Sequence, residues 1–204
     1  MTTIAILAVP DAGRLGDVWA ATRGQAGAAD RRERGWIRAA QNGSEEALER
    51  LFRRHWPAAH RAAYLIVHDG AAAEDIAQEA FLSAIRALDR FDRRRAFGPW
   101  LNRIVVNRAI DWSRARAIRR EVAAEGLADV PAPRGAPGNP YSDELMTALA
   151  ALSPEHRAVV VLRYLLEYTP GEIAGVLGLP RGTVNSRLRR ALDGLESGLE
   201  ERPA

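Results

Sequence analysis

Between Thr183 and Arg190 the sequence sets Thr183, Asn185, Ser186, Arg187, Arg189 and Arg190 around apolar positions at Val184, Leu188, Ala191, Leu192 and Leu195, with Arg181 just ahead. These side chains are hydrogen-bond donors of the kinds that read base edges and hold phosphates. A second set, Arg103, Asn107, Arg108 and Asp111, shares one broad side of a helical repeat, away from Leu101, Ile104 and Val105. Arg114, Arg116, Arg119 and Arg120 crowd its end. There they suit the negative end of a helix dipole and the phosphates of a duplex alike. A third set is acidic and polar: Asp75, Gln78 and Glu79 stand opposite an apolar stripe, free for a partner, although charge at this spacing is usually just a solvated helix face.

Catalytic chemistry has no comparable constellation. His55, His60, His68 and His156 lack metal-ligand spacing, and Asp75 with Glu79 is an i, i+4 acidic pair without a histidine companion. No phosphate-cradling glycine loop or nucleophile motif is present. Cysteine is absent, which excludes disulfides and thiolate sites. The expectation is a binding protein, not an enzyme, with no cofactor and no metal.

The 204 residues are rich in alanine and leucine and sparse in aromatics, and the basic side chains are all arginine. Such a composition favours helices over strands. A net charge of +3 is too small to identify a nucleic-acid partner by itself, so distribution matters more than total. No run approaches the roughly 18 apolar residues of a membrane span, and Ile4–Val9 is short with no basic residue before it. A cytoplasmic protein without membrane insertion is expected.

Residues 1–29 show no sustained periodicity and read as a disordered leader or as sequence ahead of the true start. Helical patterning begins near Asp30, breaks at Asn42-Gly43, and resumes with Ser44 as N-cap before Glu45 and Glu46. Leu48, Leu51, Phe52 and Trp56 mark the apolar side of that helix, and Pro57 predicts a kink or short break. After the turn at His68-Asp69-Gly70, the positions Ala77, Phe81, Ala84, Ile85 and Leu88 predict a buried stripe. A third helix begins near Phe97, where Trp100, Leu101, Ile104, Val105 and Ala109 form its core side and Trp100 reads as core. Residues 121–142 carry four prolines and no apolar periodicity, which is linker composition.

The C-terminal part carries the most specific local pattern. Ser153-Pro154-Glu155 and Thr169-Pro170-Gly171-Glu172 are both helix starts, the second a capping box. Gly178 and Pro180 end a short helix, and the spacing Ala174, Gly178, Val184 suits a helix-turn-helix: a small residue for close approach, a glycine for the turn, a β-branched lock. The donor face described first then belongs to a recognition helix. The plain competitor is a packed helix pair with a solvated arginine face.

At this point the chain resembles the extracytoplasmic-function group of bacterial sigma factors of the sigma-70 family, over about residues 35–197. LSPEHRAVVVLRYLLEYTPGEIAGVLGLPRGTVNSRLRRAL is similar to the family's fourth-region domain, AEDIAQEAFLSAIRALDRFD to the helix that binds the polymerase clamp, and FGPWLNRIVVNRAIDWSRARAIRR to the promoter-melting segment. The resemblance implies an all-α fold of two small helical domains joined by a flexible linker: a region 2 type domain at 30–120, the linker at 121–142, and a region 4 type helix-turn-helix domain at 143–200. It implies that Asp75, Gln78, Glu79 and Leu82 meet a coiled coil of the largest subunit of RNA polymerase core enzyme. Arg103, Asn107, Arg108, Arg114, Arg116, Arg119 and Arg120 would serve the minus-10 element, with a base flipped out near Asn107. Arg181, Thr183, Asn185, Ser186, Arg187, Arg189 and Arg190 would serve the minus-35 element.

The chain departs from the family pattern in its leader and in Gly171, where a stronger helix former is common. With no further domain after the helix-turn-helix, regulation is expected from another molecule, an anti-sigma factor by resemblance. The rival reading is a free-standing helix-turn-helix repressor, which explains residues 153–195 but neither 74–82 nor 93–120. Such repressors bind as symmetric dimers, so one protomer on an asymmetric site counts against it.

Overall fold

The computed structural model describes residues 31–124 and 143–200, and the side chains within them except those of 120–124 and 198–200. The leader at 1–29 and most of the expected linker lie outside the described residues. Every regular element among the described residues is helical. The chain divides into one compact unit ending at Leu51 and another beginning at Phe52.

In the first unit, α1 covers 31–41 and ends at Asn42-Gly43, where Gly43 takes a φ of 88°. Ser44 Oγ accepts from the Ala47 amide at 3.3 Å and so starts α2, Glu45–Val67. Ile37, Ala40, Ala47 and Leu51 are buried, while the Arg50 guanidinium lies 6.0 Å from the Trp36 ring. Helix α2 continues through Pro57, so of the kink or short break expected there the break does not occur. Proline removes one donor, and the helix is continuous on both sides of that loss.

The second unit holds the rest of α2 and α3 (Gly70–Ala87), a short 3₁₀ turn (Leu88–Arg90) and α4 (Phe97–Ala124), followed by α5 (Asp143–Ala151), α6 (Pro154–Val160), α7 (Pro170–Leu177) and α8 (Arg181–Glu200). Asp69 caps α3 by accepting from the Ala72 amide at 3.1 Å. Ala77, Phe81 and Ala84 of α3 and Leu101, Val105, Val106 and Ala109 of α4 are buried. Trp100 is half-buried in an aromatic cluster, its ring 4.6 Å from Phe91 and 5.5 Å from Phe97, as a core position should be. Helix α4 runs to Ala124, past the end expected at 120.

One expectation fails in α3: Ile85 is 44% exposed. It occupies the edge of the apolar stripe, and at an edge the neighbouring helices decide which side is covered.

Toward the C-terminus, Val159, Leu162, Ile173, Val184 and Ala191 form a buried set from α6, α7, α8 and the turn after α6. That turn, Val161–Leu165, is π-helical: the Leu166 amide reaches the Val161 carbonyl at 3.2 Å. Glu167 follows at φ 56° and the Tyr168 amide donates to the Leu162 carbonyl at 3.0 Å. No helix among the described residues is long and apolar enough to cross a membrane.

Candidate nucleic-acid and partner interfaces

The helix-turn-helix is built from local rules that the sequence announced. Thr169 Oγ1 accepts from the Glu172 amide at 3.3 Å, and the Glu172 carboxylate accepts from the Thr169 amide at 2.7 Å, which completes the capping box. Gly178 adopts the left-handed conformation at φ 66°, ψ 33° and ends α7, with its amide donating to the Ala174 carbonyl. Glycine pays no Cβ penalty there. Val184 is fully buried, and Leu188, Ala191 and Leu195 continue its inward side.

The opposite side of α8 carries the expected donors. Arg181, Asn185, Arg189 and Arg190 are exposed; Thr183, Ser186 and Arg187 are half-buried at the same end. Ser186 Oγ donates to the Thr183 carbonyl at 2.9 Å, which spends its proton locally and leaves lone pairs outward. This surface can offer guanidinium, amide and hydroxyl groups to one groove of a duplex.

Helix α4 presents a less open surface. Asn107 and Arg119 are exposed. Arg108 donates to the Glu79 carboxylate and, at 2.8 Å, to Ser83 Oγ. Arg116 donates to Asp69 Oδ2 at 2.7 Å while its guanidinium lies 5.0 Å from the Trp112 ring. Arg114 lies 3.8 Å from Asp111 and bonds Glu155 of α6 at 2.6 Å. Arg103 reaches the Gly175 carbonyl of α7 at 3.5 Å, the outer limit of a hydrogen bond. Arg120 belongs to α4, but its side chain lies outside the described residues.

Electrostatics follow these pairings. The Ala72 amide, then Arg116, hold the Asp69 carboxyl below its ordinary pKa. Burial pushes Glu155 upward, but its own backbone amide and Arg114 reverse this, and the net shift is downward.

On α3, Asp75, Gln78, Glu79 and Leu82 are all exposed, and Gln78 donates to Glu74 at 3.1 Å. Ile85 extends the same side, so Asp75, Gln78, Leu82 and Ile85 recur at intervals of three and four, the spacing that meets another helix. Reading the stripe from the core side missed Ile85; reading it from the exposed side finds it. Ser83, Asp69, Asn102, Arg157 and Tyr168 were also missed, because each acquires its partner through the tertiary fold. Glu79 and Arg108, expected in separate interfaces, are bonded to each other.

Residues 51–119 match the Sigma-70 region 2 family and residues 142–193 match Sigma-70 region 4. The chain is 34% identical over 155 residues to the RNA polymerase sigma-E factor of Streptomyces avermitilis, covering 76% of this chain and 86% of that protein. It is 32% identical over 178 residues to the ECF RNA polymerase sigma factor SigW of Bacillus subtilis, covering 81% of this chain and 95% of the relative. Among solved structures, CnrH in complex with the cytosolic domain of CnrY aligns at a TM-score of 0.64 and 30% identity, over 84% of this chain and 99% of CnrH.

Proposed function

Because this chain belongs to the sigma-70 family of RNA polymerase sigma factors, in its extracytoplasmic-function group, we propose that it divides promoter recognition between two helical domains, at about 30–120 and 143–200. It acts in the cytoplasm and carries no catalysis of its own; the polymerase supplies the chemistry. The α8 face of Arg181, Thr183, Asn185, Ser186, Arg187, Arg189 and Arg190 reads the minus-35 element in the major groove. The donor-rich end of α8, set by the capped α7 and the left-handed Gly178, carries this reading.

The α4 arginines and Asn107 engage the minus-10 element, with an unstacked base of the non-template strand near Asn107. The exposed pairs of Arg108 and Arg114 support this, since a phosphate can take the place of a surface carboxylate at a cost of about 1 kcal/mol or less per pair. Asp75, Gln78, Glu79 and Leu82, joined by Ile85, dock on the clamp coiled coil of the polymerase largest subunit. CnrH is recorded with the cytosolic domain of CnrY, and an anti-sigma factor is the corresponding partner here.

The test is transcription by core polymerase on promoter fragments with and without this protein. Asp75→Arg is the cleaner perturbation, because Glu79 is tied to Arg108. New run-off transcripts that vanish with Asp75→Arg are expected. DNA footprinting by the isolated protein without any transcript would instead support the repressor reading.

A further inference from the structure

Helix α4 is tied at two levels to α3, the helix that the proposed function gives to the polymerase. Arg108 donates to Glu79 and Ser83 in the middle of α3, and Arg116 donates to Asp69 at its start, so the two helices run antiparallel. The ties differ in burial. The Arg108 and Glu79 side chains are 39% and 63% exposed, those of Arg116 and Asp69 only 22% and 32%. Arg116 is also held from a second side, by the Trp112 ring one turn earlier, 5.0 Å from the guanidinium. Asp69 is engaged twice: Oδ1 accepts from the Ala72 amide at 3.1 Å as the N-cap of α3, and Oδ2 accepts from Arg116 at 2.7 Å. One carboxylate thus joins the first turn of α3 to the C-terminal half of α4.

The buried side of α3 offers little else to fix its setting. Five of its seven buried residues are alanine, and only Ile76 and Phe81 are large enough to interlock with a neighbour. The exposed row Asp75, Gln78, Leu82 and Ile85 runs about 15 Å along the helix, so all four meet one partner only at one setting of α3. Glu79 belongs to the docking set itself, and its tie to Arg108 weakens when it turns to the polymerase. Asp69 lies outside that set, so its tie to Arg116 persists. We infer that Arg116 is a positioning residue of the polymerase-docking face: held by Asp69 and Trp112, it fixes the start of α3, and it is not a ligand of minus-10 phosphates. A phosphate would have to displace a half-buried carboxylate and part the guanidinium from its ring, whereas Arg119 on the same helix is exposed. Arg116 is thereby set apart from the other α4 arginines. The inference rests on the proposed docking of α3 on the polymerase.

Affinity for core polymerase, and the salt dependence of promoter binding by the assembled holoenzyme, separate the two roles. Arg116→Ala should weaken binding of the full-length protein to core polymerase by about fivefold. The slope of log K against log salt on a promoter fragment should stay at the wild-type value. Arg119→Ala, by contrast, should lower that slope by about one. Asp69→Asn keeps a cap acceptor and removes the charge, so it should reproduce the loss of core affinity. The double variant should lose no more than either single one. Amide exchange should quicken in the first turn of α3 and not elsewhere, which distinguishes lost positioning from general unfolding. A lower salt slope with core affinity intact would make Arg116 a phosphate ligand and overturn the inference. Additive losses in the double variant overturn it too, since Arg116 would then act apart from Asp69. Failure of the docking reading shows differently: Asp75→Arg would then bind core polymerase as wild type does. If Asp75→Arg binds weakly while Arg116→Ala binds as wild type, the inference alone falls.

Discussion

Acid should destabilise this protein through one imidazole. His68 is buried at a φ of 54°, its Nε2 has no hydrogen-bond partner among the described residues, and Arg157 lies nearby. Burial first, and then the Arg157 charge, lower its pKa from 6.5 to about 4, against an opposing hydrogen bond to the Leu65 backbone. The group is neutral in the fold, while in the unfolded chain it takes a proton near 6.5. The unfolded state therefore binds more protons between those values. The stabilisation is complete above 6.5 and is lost as pH falls toward 4. A gap of about 2.5 pH units corresponds to about 3 kcal/mol in full, of which about 2 kcal/mol is gone by pH 5. Asp69 and Glu155, lowered from 3.8 and 4.5, lose their contributions mainly below pH 5, outside a comparison of pH 7 with pH 5. The perturbation is His68→Asn, because asparagine tolerates the left-handed backbone and does not titrate. Urea midpoints at pH 7 and pH 5, with an unchanged m-value, give the difference. Wild type should lose about 2 kcal/mol more than the variant between the two pH values. Equal losses would refute the argument, since the acid sensitivity would then lie in groups common to both proteins.

Two further predictions concern the helix-turn-helix. Asn185→Ala or Arg187→Ala should cost about 1–3 kcal/mol and relax preference at one base position, whereas Arg190→Ala should weaken all duplexes alike and lower the salt slope by about one. Competition binding over a randomised minus-35 duplex separates these outcomes, and a uniform loss from Asn185→Ala would remove it from base readout. Thr169→Val deletes the side-chain acceptor of the capping box and should cost about 1 kcal/mol. A thermal melt unchanged by that substitution would show that the cap contributes nothing to stability.

What could be read from the chain was what the chain decides locally. The capping box at Thr169, the glycine stop at Gly178 and the N-caps at Ser44 and Ser153 each involve residues within a few positions of one another, and all stand where their types suggested. At Pro57 the helix does not break, because a missing donor weakens one turn without compelling the helix to end. Ile85 misled because a stripe edge has two possible sides. The contacts between distant helices were illegible for a different reason: Arg116–Asp69, Asn102–Tyr168 and Arg157–Ile66 join positions 47, 66 and 91 residues apart. A single sequence supplies periodicity and local chemistry, and neither identifies which distant carbonyl will meet a given guanidinium.

The arginines fall into two energetic kinds, and the division bears on how the protein works. Arg108 and Arg114 sit in solvent-exposed pairs, each contributing about 0–1 kcal/mol, weakened by salt and easily surrendered to a phosphate. Arg157 is different. Burial lowers its pKa to about 10, its Nε lacks a partner among the described residues, and the charge is retained through three backbone carbonyls. Losing those carbonyls in a dry interface would leave a buried charge unpaired. Arg157 thus holds α6 to the end of α2. Salt therefore weakens Arg108–Glu79 and Arg114–Glu155, while the buried Arg157 contacts are screened much less.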